Sequence, residues 1–168
     1  MHAVRRLGLV GLALVLGGAP AAAHVAFSTP GVVPGGAQEK TLMLGHGCGA
    51  DDPTVKLRVR MPPGVVDVTP KAASGWKAET VTGAYDKPVI YKGVELTEGV
   101  TEIVWSGRLD PHTKGAFSFA FGLADSGAPG DRLVFPVVQQ CTKGVIRWID
   151  PSEDGGTPAA SLVVGPRR

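Results

Sequence analysis

Val55-Lys56-Leu57-Arg58-Val59-Arg60-Met61 alternates apolar and basic side chains over seven residues. Successive side chains of an extended chain point to opposite faces, so this run has one dry face and one wet face. It is a half-buried strand, and the chain around it repeats the theme. Short apolar runs at 40–44, 65–68, 76–81, 89–91, 101–105, 133–138 and 145–149 are separated by turn signals such as Pro62-Pro63-Gly64, Ser106-Gly107 and Ala128-Pro129-Gly130. Ala116-Phe117-Ser118-Phe119-Ala120-Phe121 sets three phenylalanines on one face, as a core strand does. No long helical period competes with these runs. Eight or nine short strands with regular turns predict an all-β chain folded as an antiparallel β-sandwich.

The first 23 residues do not belong to that pattern. Arg5 and Arg6 form a short positive start, an apolar stretch follows, and small residues close it at Ala21-Ala22-Ala23. This is the arrangement of a cleaved secretory signal over 1–23. Cleavage after Ala23 makes His24 the new N-terminus; cleavage after Ala19-Pro20-Ala21 places it at Ala22 instead. No later apolar run approaches the length needed to span a bilayer. The expected organisation is a signal at 1–23, a single sandwich domain at 24–151 and a loose, Gly/Pro/acid-rich tail at 152–168. The expected location is periplasmic or secreted.

Loss of Arg5 and Arg6 leaves 15 Lys+Arg against 15 Asp+Glu. A near-neutral chain with no basic stripe interleaved with aromatics is not built for nucleic acid. The two cysteines, Cys48 and Cys141, form an even pair in an oxidising compartment, which predicts a disulfide. The alternative is a metal–thiolate site. If the bridge forms, the free thiolate of a blue-copper centre is unavailable.

Candidate chemistry concentrates on His24. A histidine at a free N-terminus offers its α-amine and its imidazole to one metal ion in a six-membered chelate ring. Such a nitrogen set suits tetragonal Cu(II), the strongest binder of the divalent series. His46, in Gly45-His46-Gly47-Cys48, and His112, in a Pro-His turn, have no ligand spacing that connects them. Glu39 follows a Pro-Gly-Gly turn that can fold its strand back beside the N-terminus and supply an oxygen ligand; a solvated strand-end glutamate is the plainer reading. Trp76, Trp105 and Trp148 default to packing. Gly-x-Ser-x-Gly and His-Glu-x-x-His are both absent, so nothing marks an enzyme.

The ordered set His24-Val25, Pro30, Pro34-x-Gly36, Glu39-Lys40, His46-Gly47-Cys48, Pro62 with Gly64-Val65, Gly75-Trp76, Trp105-Ser106-Gly107, Phe117-x-Phe119, Phe135-Pro136-Val137-Val138-Gln139-Gln140-Cys141, Gly144 and Trp148 resembles the YcnI-like domain. That domain is an exported bacterial copper-binding module encoded near copper-uptake genes. The resemblance covers His24 to about Ile149. It implies an immunoglobulin-like sandwich and a Cu(II) site called a monohistidine brace. The N-terminal histidine supplies amine and imidazole, a glutamate completes the coordination, and a tryptophan lies against the metal. On this sequence those roles fall on His24, Glu39 and Trp148. Many relatives carry an aromatic residue where Gln38 stands.

The resulting expectation is an exported Cu(II)-binding protein, not an enzyme, that handles or delivers copper to other exported or membrane copper-handling proteins. Two other readings stay open. One is a metal-free immunoglobulin-like interaction module, which a mature N-terminus at Ala22 would favour. The other is an oxidative copper enzyme, which needs His46 or His112 to reach His24.

Overall fold

The computed structural model describes residues 24–34 and 36–166; the expected signal segment lies outside them. The strands are β1 (Ala26–Phe27), β2 (Gly31–Val32), β3 (Ala37–Leu44), β4 (Thr54–Arg60), β5 (Val65–Pro70), β6 (Lys77–Tyr91), β7 (Val94–Leu109), β8 (Gly115–Leu123), β9 (Arg132–Phe135), β10 (Val137–Cys141), β11 (Val145–Trp148) and β12 (Ala160–Val164). They form a four-stranded sheet in the order β1-β3-β8-β5 and a five-stranded sheet in the order β11-β10-β4-β7-β6. A small third sheet runs β2-β12-β9. Every pairing is antiparallel except β2 with β12.

Side-chain alternation builds the core. In β4, Leu57 and Val59 are fully buried while Arg58 and Arg60 stay outside. In β8, Phe117, Phe119 and Phe121 all point inward. Aromatic contacts tie the two large sheets together: Trp105 packs on Phe117 with ring centroids 5.5 Å apart, and on Phe119 at 6.3 Å. The chain is therefore an all-β sandwich, as the strand pattern predicted, and of the immunoglobulin-like kind that the resemblance implied.

Several elements are longer or more divided than the sequence suggested. The runs at 76–81 and 89–91 belong to one long strand, β6, which pairs with β7 across a two-residue turn. Lys92 and Gly93 both have positive φ there, 52° and 76°, the conformation that matches the twist of a tight hairpin. The run at 133–138 is split at Pro136, where the chain leaves the small sheet and enters the five-stranded one. The segment read as a loose tail at 152–168 needs correction. Its residues 160–164 form β12, with Leu162 at 0% exposure and Ala160 and Val164 also buried. The Gly- and acid-rich stretch before it masked an alternating apolar strand. Among the described residues, no helix is long and apolar enough to cross a membrane.

Candidate metal centre

Two elements bring His24 to one end of the sandwich. Val25 is buried and anchors the start of the chain, while His24 itself is exposed. In the ladder of β1 with β3, Ala26 lies opposite Met43 and Phe27 opposite Leu42. The strands are antiparallel, so the chain before Ala26 runs towards Gly45-His46-Gly47-Cys48 at the far end of β3.

Trp148, the last residue of β11, forms a wall of this site. Its ring lies edge-on to that of His24, with centroids 6.4 Å apart and planes at 70°. The indole is buried, and its N–H donates to Gln139 Oε1 at 3.0 Å. Gln139, on β10, is fully buried. Its Nε2 donates to the His46 carbonyl at 2.8 Å and to the Thr54 hydroxyl at 2.9 Å. An indole N–H can only donate and a carbonyl can only accept, so the two ends of the Gln139 amide are fixed by their neighbours. One buried side chain thus sets the orientation of Trp148 and holds the backbone of His46.

His46 is exposed, and its Nδ1 contacts the Gly47 carbonyl. The neutral tautomer that donates from Nδ1 to this carbonyl carries its lone pair on Nε2. Gly47 is required by space: a Cβ there would lie 2.5 Å from the Asp52 carbonyl oxygen and 2.9 Å from Pro111 Cα. The Gly47 amide donates to the Pro111 carbonyl at 2.9 Å, so the turn that carries His112 borders this loop. His112 is exposed on that turn.

Cys48 and Cys141 are joined in a disulfide that ties this loop to the end of β10. Asp52 lies close to both sulfurs, but sulfurs bonded to each other are not thiolate ligands, so this cluster is not a metal–thiolate site. The Asp52 carboxylate serves the fold. It accepts hydrogen bonds from the Thr142 hydroxyl and the Lys143 amide, both at 2.8 Å. Partial desolvation pushes its pKa up, but hydrogen bonds from Thr142, Lys143 and Gly144 and the Lys143 charge outweigh that and hold it below the usual carboxylate range.

Glu39 is not brought to this site. It sits on β3 opposite Ala120 of β8, and Lys71 Nζ lies 3.4 Å from its carboxylate. Met43 is four residues further along β3, and His24 lies two residues beyond Met43's partner, Ala26. Six residue steps of extended chain separate them by about 20 Å. The reason is topological. Between β1 and β3 the chain detours through β2, which pairs with β12 in the small sheet, so the Pro-Gly-Gly turn does not close a simple hairpin. Gln38 closes that turn instead, donating to the Val33 carbonyl at 2.8 Å and accepting from the Val33 amide at 3.3 Å.

Sequence alone marks Gln139 only as part of the run 135–141, with no role of its own, and does not single out Thr54. A signal existed: Gln139 shares its strand face with Val137 and Cys141, so a glutamine stands at an inward position of an apolar strand. A cavity of about 560 Å³ lined by Met61, Pro62, Tyr85, Lys87, Asp131 and Leu133 contains none of His24, His46, Gln139 and Trp148.

Residues 24–164 match the model of a protein family described as a domain of unknown function, DUF1775. Among solved structures, the chain is similar to an uncharacterized protein from Nocardia farcinica with an immunoglobulin-like fold. The two share 22% identity over 84% of this chain and 98% of that one, with a TM-score of 0.63. A cohesin from Acetivibrio cellulolyticus scaffoldin B, solved with a dockerin, matches at 13% identity over 84% and 97% of the two chains, with a TM-score of 0.42, too slight a likeness to carry an argument. Among curated proteins, none matches.

Proposed function

The chain belongs to the DUF1775 family, a domain of unknown function, and from that premise we propose that it is an exported protein that binds Cu(II) at its N-terminal histidine. The observation that carries this reading is the placement of His24, the residue after Ala21-Ala22-Ala23, edge-on to a tryptophan whose orientation is fixed by a buried glutamine. Processing before His24 frees its amine, and amine plus imidazole form a chelate suited to tetragonal Cu(II). The Trp148 indole would shield an ion held at His24 from water on that side.

The reading is that of a YcnI-like binding protein that handles or delivers copper to other exported or membrane copper-handling proteins, not of an enzyme. Its ligand set differs from the one the resemblance implied, because Glu39 lies at the other end of β3. Protons compete for the same lone pairs as the metal, so affinity falls as pH drops.

Calorimetric titration of Cu(II) into the processed protein tests the proposal. One tight site per chain, abolished in His24→Ala, is the expected result. Equal binding by the two proteins overturns it and leaves the metal-free interaction module as the better reading.

A further inference from the structure

We infer that His46 supplies a second imidazole, through Nε2, to the copper held by His24. The inference rests on the copper reading and identifies the ligand that Glu39 does not provide.

Two separate paths through the structure lead from His24 to His46. The first is the backbone. β1 pairs antiparallel with β3 through Ala26↔Met43, so the chain before Ala26 and the chain after Leu44 leave the ladder at the same end of the sheet, where His24 and His46 are both exposed. The second is the side-chain chain. His24 touches Trp148, the Trp148 indole N–H reaches Gln139 at 3.0 Å, and the same amide holds the His46 carbonyl at 2.8 Å. Both paths end at the same exposed rim of the sandwich.

The chemistry of His46 is that of a ligand. Metal-binding histidines commonly donate one ring N–H to a backbone carbonyl, which fixes the tautomer and raises the basicity of the other nitrogen. His46 Nδ1 faces the Gly47 carbonyl in this way. Its backbone is also clamped on both sides. Gln139 grips its carbonyl, and the next residue, Gly47, donates to Pro111 in a space too tight for any side chain. The disulfide two residues on fastens the same loop to β10.

The resulting donor set is three neutral nitrogens: the His24 amine, the His24 Nδ1 of the six-membered chelate, and His46 Nε2. Such a set prefers Cu(II) over hard divalent ions, which favour carboxylate and water oxygens. Such a set would leave the charge of a bound copper unneutralised by any carboxylate. His112 borders the same loop, but neither the β1–β3 register nor the Gln139 bridge reaches it.

Pulsed electron paramagnetic resonance on the processed protein loaded with one Cu(II) counts coordinated imidazoles through their remote nitrogens. The inference predicts two in the native protein, one in His46→Ala, and two in His112→Ala. It predicts that His46→Ala lowers Cu(II) affinity in chelator competition by at least the roughly 10–100-fold that loss of a mere outer-shell partner costs. Gly47 and Gln139 are unchanged in His46→Ala, so urea unfolding should show a folded protein. A native spectrum with one imidazole, or a count unchanged in His46→Ala, overturns the inference while the His24 chelate stands. Failure of the native protein to bind copper, or binding that survives His24→Ala, overturns the chelate and the inference with it.

Discussion

Gln139→Leu is the substitution that most directly probes how the site is held. The two side chains are similar in size, so the change removes an amide without opening a large cavity. Three hydrogen bonds disappear, from Trp148 Nε1, to the His46 carbonyl and to the Thr54 hydroxyl. The three groups left behind are not equal. His46 is exposed, so water can replace the amide at its carbonyl. Thr54 is fully buried, but its hydroxyl retains the Cys141 sulfur at 3.7 Å, a weak partner. The Trp148 N–H is left buried with no replacement. A buried polar group left unpaired costs about 1–3 kcal/mol. One full orphan and one poorly satisfied hydroxyl set the loss at about 2–4 kcal/mol. Urea unfolding followed by tryptophan fluorescence measures it as a lower midpoint at unchanged slope. The near-ultraviolet dichroism of the tryptophans should change as well, because the Trp148 indole loses its anchor. Gln139→Glu should also be destabilised, since an acceptor would then face the His46 carbonyl. A loss below about 1 kcal/mol with an unchanged tryptophan signal would refute the claim that Gln139 fixes Trp148.

Replacing both cysteines, Cys48→Ser with Cys141→Ser, opens a loop with a sequence separation of 93 residues. The chain-entropy model sets the loss at about 4–5 kcal/mol, measured by urea unfolding of the native and double-variant proteins. Asp52 adds a pH dependence. Its native pKa is lowered, so the stability it contributes is present above about pH 4 and is lost as pH falls through the lowered native value. Asp52→Asn should therefore be less stable than the native protein at pH 7, and the gap should narrow by pH 2; a gap independent of pH would contradict the assignment.

Most of the fold was legible because half-buried strands advertise themselves by period two. The alternation from Leu57 to Met61 and the phenylalanines of β8 face as their patterns require, whereas a bulge beside Thr54 interrupts the alternation at Val55. Other features depend on partners far away in sequence. Nothing local says that Pro136 is where the chain changes sheets, or that Ala160, Leu162 and Val164 find β9 after a polar stretch. The site divided along the same line. The resemblance singled out His24 and Trp148, and their rings lie 6.4 Å apart. Glu39 was misplaced because proximity to His24 was argued from a turn, whereas strand register decides it. That register follows from β2 leaving for the small sheet, a choice made by its pairing with β12. Gln139 stood within a motif but carried no assigned role, because its three partners lie on other strands and loops.

Chelation of copper by a free N-terminal His24 underlies the whole proposed site. The most direct test is an electron paramagnetic resonance titration with Cu(II) of protein whose N-terminus is shown by mass spectrometry to be His24. The same chain with one extra residue before His24 serves as the comparison. The account predicts a single tetragonal, nitrogen-ligated signal that saturates at one copper per chain and is absent from the extended protein. Equal signals from the two would show that the α-amine is not a ligand and would contradict the account.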